Sequence, residues 1–175
     1  MRTPRDEEFR AFVVRSRDGL VRTATLLSGG DRHRAEDLVQ TTLTRLYVAW
    51  PRVRQADGPD RYARRTLVNA LIDEQRRPFW RRERAHADVP DRAVLEHDDD
   101  FDQLHQALAQ LPAGMRAAVV FRHVHEFSVA ETADALNCSE GNVKSQTARG
   151  LEQLRAALSG GTPAPTNDAI LRSSS

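Results

Sequence analysis

Apolar residues recur at helical spacing in three stretches of the first half of the chain. Over residues 6–27 this period predicts a first helix, which Ser28-Gly29-Gly30 should end. A second helix is predicted over residues 34–50. We expect it to end at Pro51, because proline cannot donate the backbone hydrogen bond that continues a helix. A third helix is predicted over residues 60–77.

The third helix is expected to bury one row of side chains: Tyr62, Leu67, Ala70 and Leu71. No stretch of the sequence alternates apolar and polar residues in the manner of a strand. The fold class predicted is therefore all-α, with two small helical domains.

A change of composition predicts where those domains separate. Residues 85–102 carry seven acidic side chains and one arginine, a net charge of −6 with histidine neutral. Such a segment buries little apolar surface and is typical of a linker. The predicted boundaries are a first domain over 6–84, an acidic linker over 85–100, a second domain over 101–159 and a disordered tail over 160–175.

The second domain contains the signature of a helix-turn-helix. Ser128 and Glu131 form a capping box that predicts the start of a short helix. Asn137 follows where the chain should turn, since asparagine tolerates the left-handed conformation, and Ser139 can cap a second helix.

The second helix of this motif has two chemically different faces. Its apolar face should pack on the preceding helices through Val143, Thr147, Leu151, Leu154 and Leu158. Its other face carries groups suited to a DNA major groove: Asn142, Lys144, Ser145, Ala148 and Arg149. A solvated surface is the alternative for an isolated helix, but the capped pair favours DNA reading. A repressor, an activator and a polymerase subunit all remain open at this point.

Composition and charge narrow the function further. The 175 residues are 39% hydrophobic with a net charge of +1, so a uniformly basic nucleic-acid binder is not indicated. The single cysteine excludes an intramolecular disulfide, and no apolar run resembles a signal peptide or membrane span, which predicts a cytoplasmic protein. The six histidines lack ligand spacing and no nucleophile constellation occurs, so we expect no catalysis, metal or cofactor.

Positive charge is concentrated around the third helix. Residues 61–84 contain eight arginines and three acidic side chains, a net charge of +5, with Tyr62 and Trp80 among them. Arginines that neutralise phosphate, combined with rings that stack on unpaired bases, are typical of single-stranded DNA binding. The alternative is that Tyr62 belongs to the core and the arginines are solvated.

Three stretches of the chain together resemble the extracytoplasmic-function sigma factors of bacterial RNA polymerase. They are "AEDLVQTTLTRLYVAW" from Ala35, "RYARRTLVNALIDEQRR" from Arg61 and "LAQLPAGMRAAVVFRHVHEFSVAETADALNCSEGNVKSQTARGLEQLR" in the second half. The opening segment "EEFRAFVVRSRDGLVRTATLLSGG" is most similar to the SigE-type subfamily common in actinobacteria. The resemblance implies a promoter-recognition subunit that binds core polymerase, reads the minus-thirty-five element and melts the minus-ten element.

The resemblance also implies roles for individual residues. Asp37 and Gln40 would dock on the coiled coil of the largest polymerase subunit, although Thr41 replaces a glutamate common in relatives. The minus-ten element would be bound by Tyr62, Arg65, Asn69, Arg76 and Arg77. The minus-thirty-five element would be read by Asn142, Lys144, Ser145, Ala148 and Arg149. A stand-alone regulator remains the alternative, and the sequence leaves open whether an anti-sigma factor is a further partner.

Overall fold

The computed structural model describes residues 3–55, 58–76 and 99–160, and every regular element within them is helical. The helices, numbered along the chain, are α1 (Pro4–Leu27), α2 (Arg32–Val53), α3 (Pro59–Arg76), α4 (Asp99–Gln110), α5 (Ala113–Val119), α6 (Val129–Leu136) and α7 (Glu140–Leu158). We call α1–α3 the N-terminal lobe and α4–α7 the C-terminal lobe. The predicted all-α class is confirmed.

Local chemistry sets both ends of α1. Thr3 caps the helix and forms a capping box with Asp6, which satisfies amide donors that the first turn leaves unpaired. Gly29 and Gly30 follow the helix with φ of +63° and +89°, values that favour glycine. The predicted stop at Ser28-Gly29-Gly30 is therefore confirmed.

The helix α2 continues past the residue expected to end it. Pro51 lies inside α2, which runs to Val53, so the prediction that Pro51 ends the helix was wrong. Proline leaves the carbonyl four residues earlier without a backbone donor, and that carbonyl belongs to Tyr47. The Arg5 guanidinium, at the start of α1, donates to the backbone carbonyl oxygen of Tyr47 at 2.7 Å and so supplies the missing hydrogen bond.

Three helices enclose the core of the N-terminal lobe. Phe12, Leu27, Leu46 and Leu67 are almost completely buried there, and Phe9 packs edge-on against Trp50 at the rim. In α3, Leu67, Ala70 and Leu71 are buried as expected, but Tyr62 is 40% exposed. The expectation that Tyr62 points inward was therefore wrong, because its ring lies at the lobe surface.

The C-terminal lobe packs α7 against α5. The helix α5 extends through a π-helical turn at Val120–Val124. Gly150 of α7 lies so close to α5 that an added Cβ would meet Val119 Cγ2 at 2.7 Å. Glycine thus permits the close approach of the two helices.

The two lobes are in contact and share one continuous cluster of buried residues. Arg116 of α5 is 8% exposed and donates to the Leu27 carbonyl of α1 at 2.7 Å. A Cβ on Gly29 would lie 2.8 Å from the Cβ of Ala109, so the end of α1 closely approaches α4. Most of the predicted acidic linker and nearly all of the predicted tail lie outside the described residues, although α4 begins at Asp99, inside the predicted linker.

Candidate nucleic-acid interface

The helix-turn-helix is formed by α6, a tight turn and α7. Ser128 and Glu131 make the predicted capping box, and the hydrogen bond from Ser128 lowers the pKa of the Glu131 carboxyl. Asn137 adopts φ 52° and ψ 51°, the left-handed conformation expected at the turn. The Ser139 side chain accepts a hydrogen bond from the Asn142 amide and caps α7.

The predicted reading residues lie on the solvent side of α7. All five are exposed: Asn142, Lys144, Ser145, Ala148 and Arg149. Val143 is fully buried on the inner side. Leu158 was expected to pack inward with it but was wrongly placed: it is 46% exposed, at the last position of α7.

Four of the predicted minus-ten residues form a second exposed row, on α3. Tyr62, Arg65, Asn69 and Arg76 are all exposed and are separated by three, four and seven residues, which places them on one face of the helix. Arg77 lies outside the described residues. This face presents an aromatic ring, an amide and two guanidinium groups, the groups used to stack bases and contact phosphates.

Two arginines on this part of α3 are paired with the helix-turn-helix. Arg61 forms an ion pair with Glu131, and Arg65 NH1 lies 2.5 Å from Asp134 Oδ2. The Arg61 guanidinium also lies 5.2 Å from the centre of the Phe127 ring. Sequence reasoning missed both pairs, since each joins residues about seventy positions apart in the chain.

The predicted core-binding residues are placed on α2. Asp37 and Gln40 are both exposed and are three residues apart, so they share one side of the helix. Thr41 is exposed beside them. The three side chains therefore belong to a surface of the N-terminal lobe that is accessible in the free chain.

His125 is an interlobe contact that the sequence did not reveal. Its Nε2 lies 3.0 Å from the Thr23 hydroxyl oxygen, whose own hydrogen is donated to the Gly19 carbonyl. Nε2 therefore carries the proton and donates to Thr23, so the ring can be neutral. Burial, with a smaller contribution from the positive charge of Arg64, lowers the pKa of His125 to about 4.

Cys138 lies in the turn between α6 and α7. It is half-buried and lines a shallow cleft between α3 and the C-terminal lobe, together with Leu71, Leu136 and Asn142. Burial raises the pKa of its thiol, which disfavours the reactive thiolate. This environment fits a packing role.

Neither a metal-binding cluster nor a membrane-spanning helix occurs in the part of the chain that the structure describes. Residues 3–55, 58–76 and 99–160 contain no group of three or more histidine, cysteine or acidic side chains placed to hold a metal ion. None of the helices in the same ranges is both long and apolar enough to cross a lipid bilayer.

Comparison with known proteins identifies both lobes. Residues 6–83 match the family "Sigma-70 region 2" and residues 101–154 match "Sigma-70, region 4". The RNA polymerase sigma-E factor of Streptomyces coelicolor is 36% identical over 159 residues, covering 86% of each chain. The ECF RNA polymerase sigma factor SigM of Mycobacterium tuberculosis is 31% identical over 130 residues, covering 71% of this chain and 64% of that protein.

A solved structure shares the fold. It is the sigma factor RpoE of Bartonella quintana, in complex with the anti-sigma factor NepR. The match has a TM-score of 0.72 and 22% sequence identity, and it covers 87% of this chain and 98% of that one. Two matching regions in the expected order, together with relatives above 30% identity over most of their length, show the family to which the protein belongs. The chain belongs to the sigma-70 family, in the extracytoplasmic-function group of RNA polymerase sigma factors that includes the sigma-E proteins of Streptomyces.

Proposed function

We propose that this chain is a promoter-recognition subunit that binds core RNA polymerase, reads the minus-thirty-five element with α7 and captures the melted minus-ten element with α3. One observation carries the proposal. A single chain of the sigma-70 family presents a helix-turn-helix with an exposed polar reading face and, on a separate lobe, an exposed row with an aromatic ring and arginines. The first surface suits intact duplex and the second suits separated strands.

The minus-thirty-five element is assigned to α7 because a helix of this motif enters the major groove with its polar face. Arg149 is the candidate for base readout, since arginine to guanine is the commonest base-specific contact. Lys144 is assigned to both base and phosphate contacts. Ala148 lets the helix approach closely, which bulkier side chains would oppose.

The minus-ten element is assigned to α3 because opening a duplex requires a surface that receives the extruded bases. The 40% exposure of Tyr62 leaves its ring available for stacking, as the assignment requires. Arg65 and Arg76 would neutralise phosphates next to the amide of Asn69, and Arg77 is assigned to the same task.

Core polymerase is assigned to the exposed side of α2 that carries Asp37 and Gln40, with the coiled coil of the largest subunit as its partner. The chain supplies recognition and polymerase supplies the chemistry, so the protein itself is not an enzyme and works in the cytoplasm. This division of labour explains why the polar groups of α3 and α7 form surfaces for binding rather than a pocket for catalysis.

Run-off transcription tests the proposal. Purified core polymerase from Streptomyces coelicolor would be given a pool of bacterial genomic fragments, with and without this chain. We expect discrete start sites only when both proteins are present. Site-specific binding to those fragments by the chain alone, with no gain from polymerase, would instead identify a stand-alone regulator. The double variant Tyr62→Ala/Asn69→Ala should retain polymerase binding but lose strand opening, which permanganate reactivity of unpaired thymines would report.

A further inference from the structure

One acidic side chain lies on the face of α3 that is assigned to melted DNA. Asp73 follows Asn69 by four residues and precedes Arg76 by three, so these side chains share one side of the helix. Tyr62 lies about three turns before Asp73 on the same side. The side chain of Asp73 is 47% exposed. A carboxylate at this place repels the phosphates that the neighbouring arginines attract, so it needs an explanation of its own.

The other two acidic residues of α3 are engaged with the helices behind it. Asp60 accepts a hydrogen bond from the Ser16 hydroxyl of α1 at 2.6 Å. Glu74 forms an ion pair with Arg34 of α2 at 3.2 Å. Both interactions tie α3 to the rest of the N-terminal lobe, and neither carboxylate belongs to the exposed row. Asp73 is therefore the acidic residue of α3 that faces the side assigned to DNA.

Arg45 of α2 holds the carboxylate of Asp73. Its Nη1 lies 2.8 Å from Asp73 Oδ2, and the side chain of Arg45 is 41% exposed. An ion pair as exposed as this one adds little to stability. It does fix the direction of the carboxylate, because Oδ2 is engaged by the guanidinium and Oδ1 is left for another donor. The pair thus holds an acceptor on the surface next to Asn69.

A carboxylate can distinguish bases by the group on their pairing edge. It only accepts hydrogen bonds, and cytosine and adenine carry an exocyclic amino donor where thymine and guanine carry a carbonyl oxygen. In a duplex that edge is occupied by the complementary base, so this readout requires an opened strand. Stacking on Tyr62 and phosphate contacts from Arg76 give affinity with little dependence on sequence. A carboxylate beside them would add the discrimination that they lack.

We propose that Asp73 is a specificity-determining residue for the minus-ten element: its carboxylate accepts a hydrogen bond from the amino group of one cytosine or adenine in the melted strand. Arg45 is the residue that positions it. This inference rests on the proposed function of α3. It also gives α2, the helix assigned to polymerase, a part in the choice of promoter.

Binding of single strands to the complex with core polymerase tests the inference. The probes are fluorescein-labelled non-template strands of a promoter identified by run-off transcription, with each minus-ten position varied among the four bases. We expect the wild type to prefer an amino-bearing base at one position about tenfold, the scale of one hydrogen bond to a charged group. Asp73→Asn should reduce this preference to less than about twofold at that position alone, because an amide can turn either a donor or an acceptor to the base.

Removing the amino group from the base provides the matched test. At the position found, cytosine would be replaced by 2-pyrimidinone or adenine by purine, which keep the ring and lack the exocyclic amine. Wild-type affinity should fall about tenfold, and that of Asp73→Asn less than about twofold. The base whose modification lowers affinity shows whether cytosine or adenine is read. Wild-type binding that is unchanged by the loss of the amino group would overturn the proposal.

Variants of Arg45 test its positioning role. Arg45→Ala should lower the preference to less than about threefold, and Arg45→Lys should restore most of it, because an ammonium group also donates to a carboxylate. Glu8→Gln is the control, since Glu8 forms a similarly exposed ion pair with Arg54 at 3.0 Å but joins α1 to the end of α2. It should keep the wild-type preference at every position. Equal losses in Glu8→Gln and Asp73→Asn would contradict the assignment.

The failure of this inference can be distinguished from the failure of the proposed function. If Tyr62→Ala/Asn69→Ala binds single strands and opens promoters like the wild type, α3 does not receive the melted strand and both proposals fall. If that variant is impaired while Asp73→Asn keeps the wild-type base preferences, the inference about Asp73 alone is overturned.

Discussion

The guanidinium of Arg116 lies 2.7 Å from the backbone oxygen of Leu27, across the boundary between the two lobes. The same group donates to the carbonyls of Leu108, Ala109 and Leu111 near the end of α4. The last carbonyls of a helix have no partner within it, so one arginine satisfies acceptors at the ends of two helices. The buried cation thereby links α1 and α4 through their backbones.

Replacing Arg116 by methionine should destabilise the protein strongly. The apolar side chain leaves several buried acceptors without a donor, and each such loss costs about 1–3 kcal/mol. We expect the free energy of unfolding to fall by roughly 3 kcal/mol or more, measured by urea denaturation with circular dichroism. Arg10→Met, at an exposed position of α1, should change it by less than about 0.5 kcal/mol. Equal effects of the two variants would contradict the link.

The close approach of α7 to α5 should make Gly150 intolerant of a side chain. In Gly150→Ala the new Cβ meets Val119 Cγ2 at 2.7 Å and the Met115 oxygen at 3.4 Å. Such overpacking costs about 1–3 kcal/mol, which thermal unfolding would show as a lower Tm. Gly141→Ala is the control on the same helix, because its nearest neighbour is the Ser139 hydroxyl at 4.0 Å. A Tm for Gly150→Ala at or above that of Gly141→Ala would be inconsistent with this packing.

The features predicted well from sequence are those that neighbouring residues determine. The capping box needs only Ser128 and Glu131, and the turn needs only an asparagine at position 137, so both could be predicted without tertiary information. The exposure of the reading face of α7 followed from periodicity for the same reason.

Two of the three differences come from partners far along the chain, and one from the face of a helix. Pro51 was expected to end α2, but Arg5, some forty residues earlier, supplies the donor that the Tyr47 carbonyl lacks. Tyr62 was expected inside with the apolar row of α3, yet it lies on the exposed face of that helix, with Arg65 and Asn69. The pairing of Arg65 with Asp134 depends on how two lobes dock, which no local pattern specifies.

Acid should weaken the packing of the lobes through His125. Its pKa is about 4 in the folded protein and near 6.5 when unfolded, so between these values the unfolded chain binds more protons. The contribution of His125 to stability is therefore complete above about pH 6.5 and is lost as pH falls towards 4. Tm measured across this range should fall more steeply for the wild type than for His125→Gln, which can still donate to Thr23 but does not titrate. Profiles of Tm against pH that have the same slope for both proteins would exclude His125 as the cause of the acid sensitivity.

Docking on polymerase should depend on the exposed side of α2. Asp37→Ala/Gln40→Ala should weaken association with core polymerase at least tenfold, about 1.4 kcal/mol, while circular dichroism stays unchanged. Surface plasmon resonance with immobilised core measures this. Asp18→Ala/Gln103→Ala also removes one exposed carboxylate and one exposed amide, but from α1 and α4, and should bind normally. If both pairs lose the same affinity, the assignment of the α2 surface is wrong.

Replacing Arg149 by alanine should relax sequence preference at one base pair of the minus-thirty-five element. A bidentate contact from arginine to guanine contributes about 1–3 kcal/mol of discrimination, so holoenzyme should lose preference there and keep it elsewhere. Affinities for promoters that differ one base pair at a time would measure this. Arg155→Ala, in the last turn of the same helix, removes an equal charge and should weaken all promoters alike or not at all. A uniform loss for Arg149→Ala as well would assign this residue to the phosphates, because a phosphate contact carries no direct information about the base.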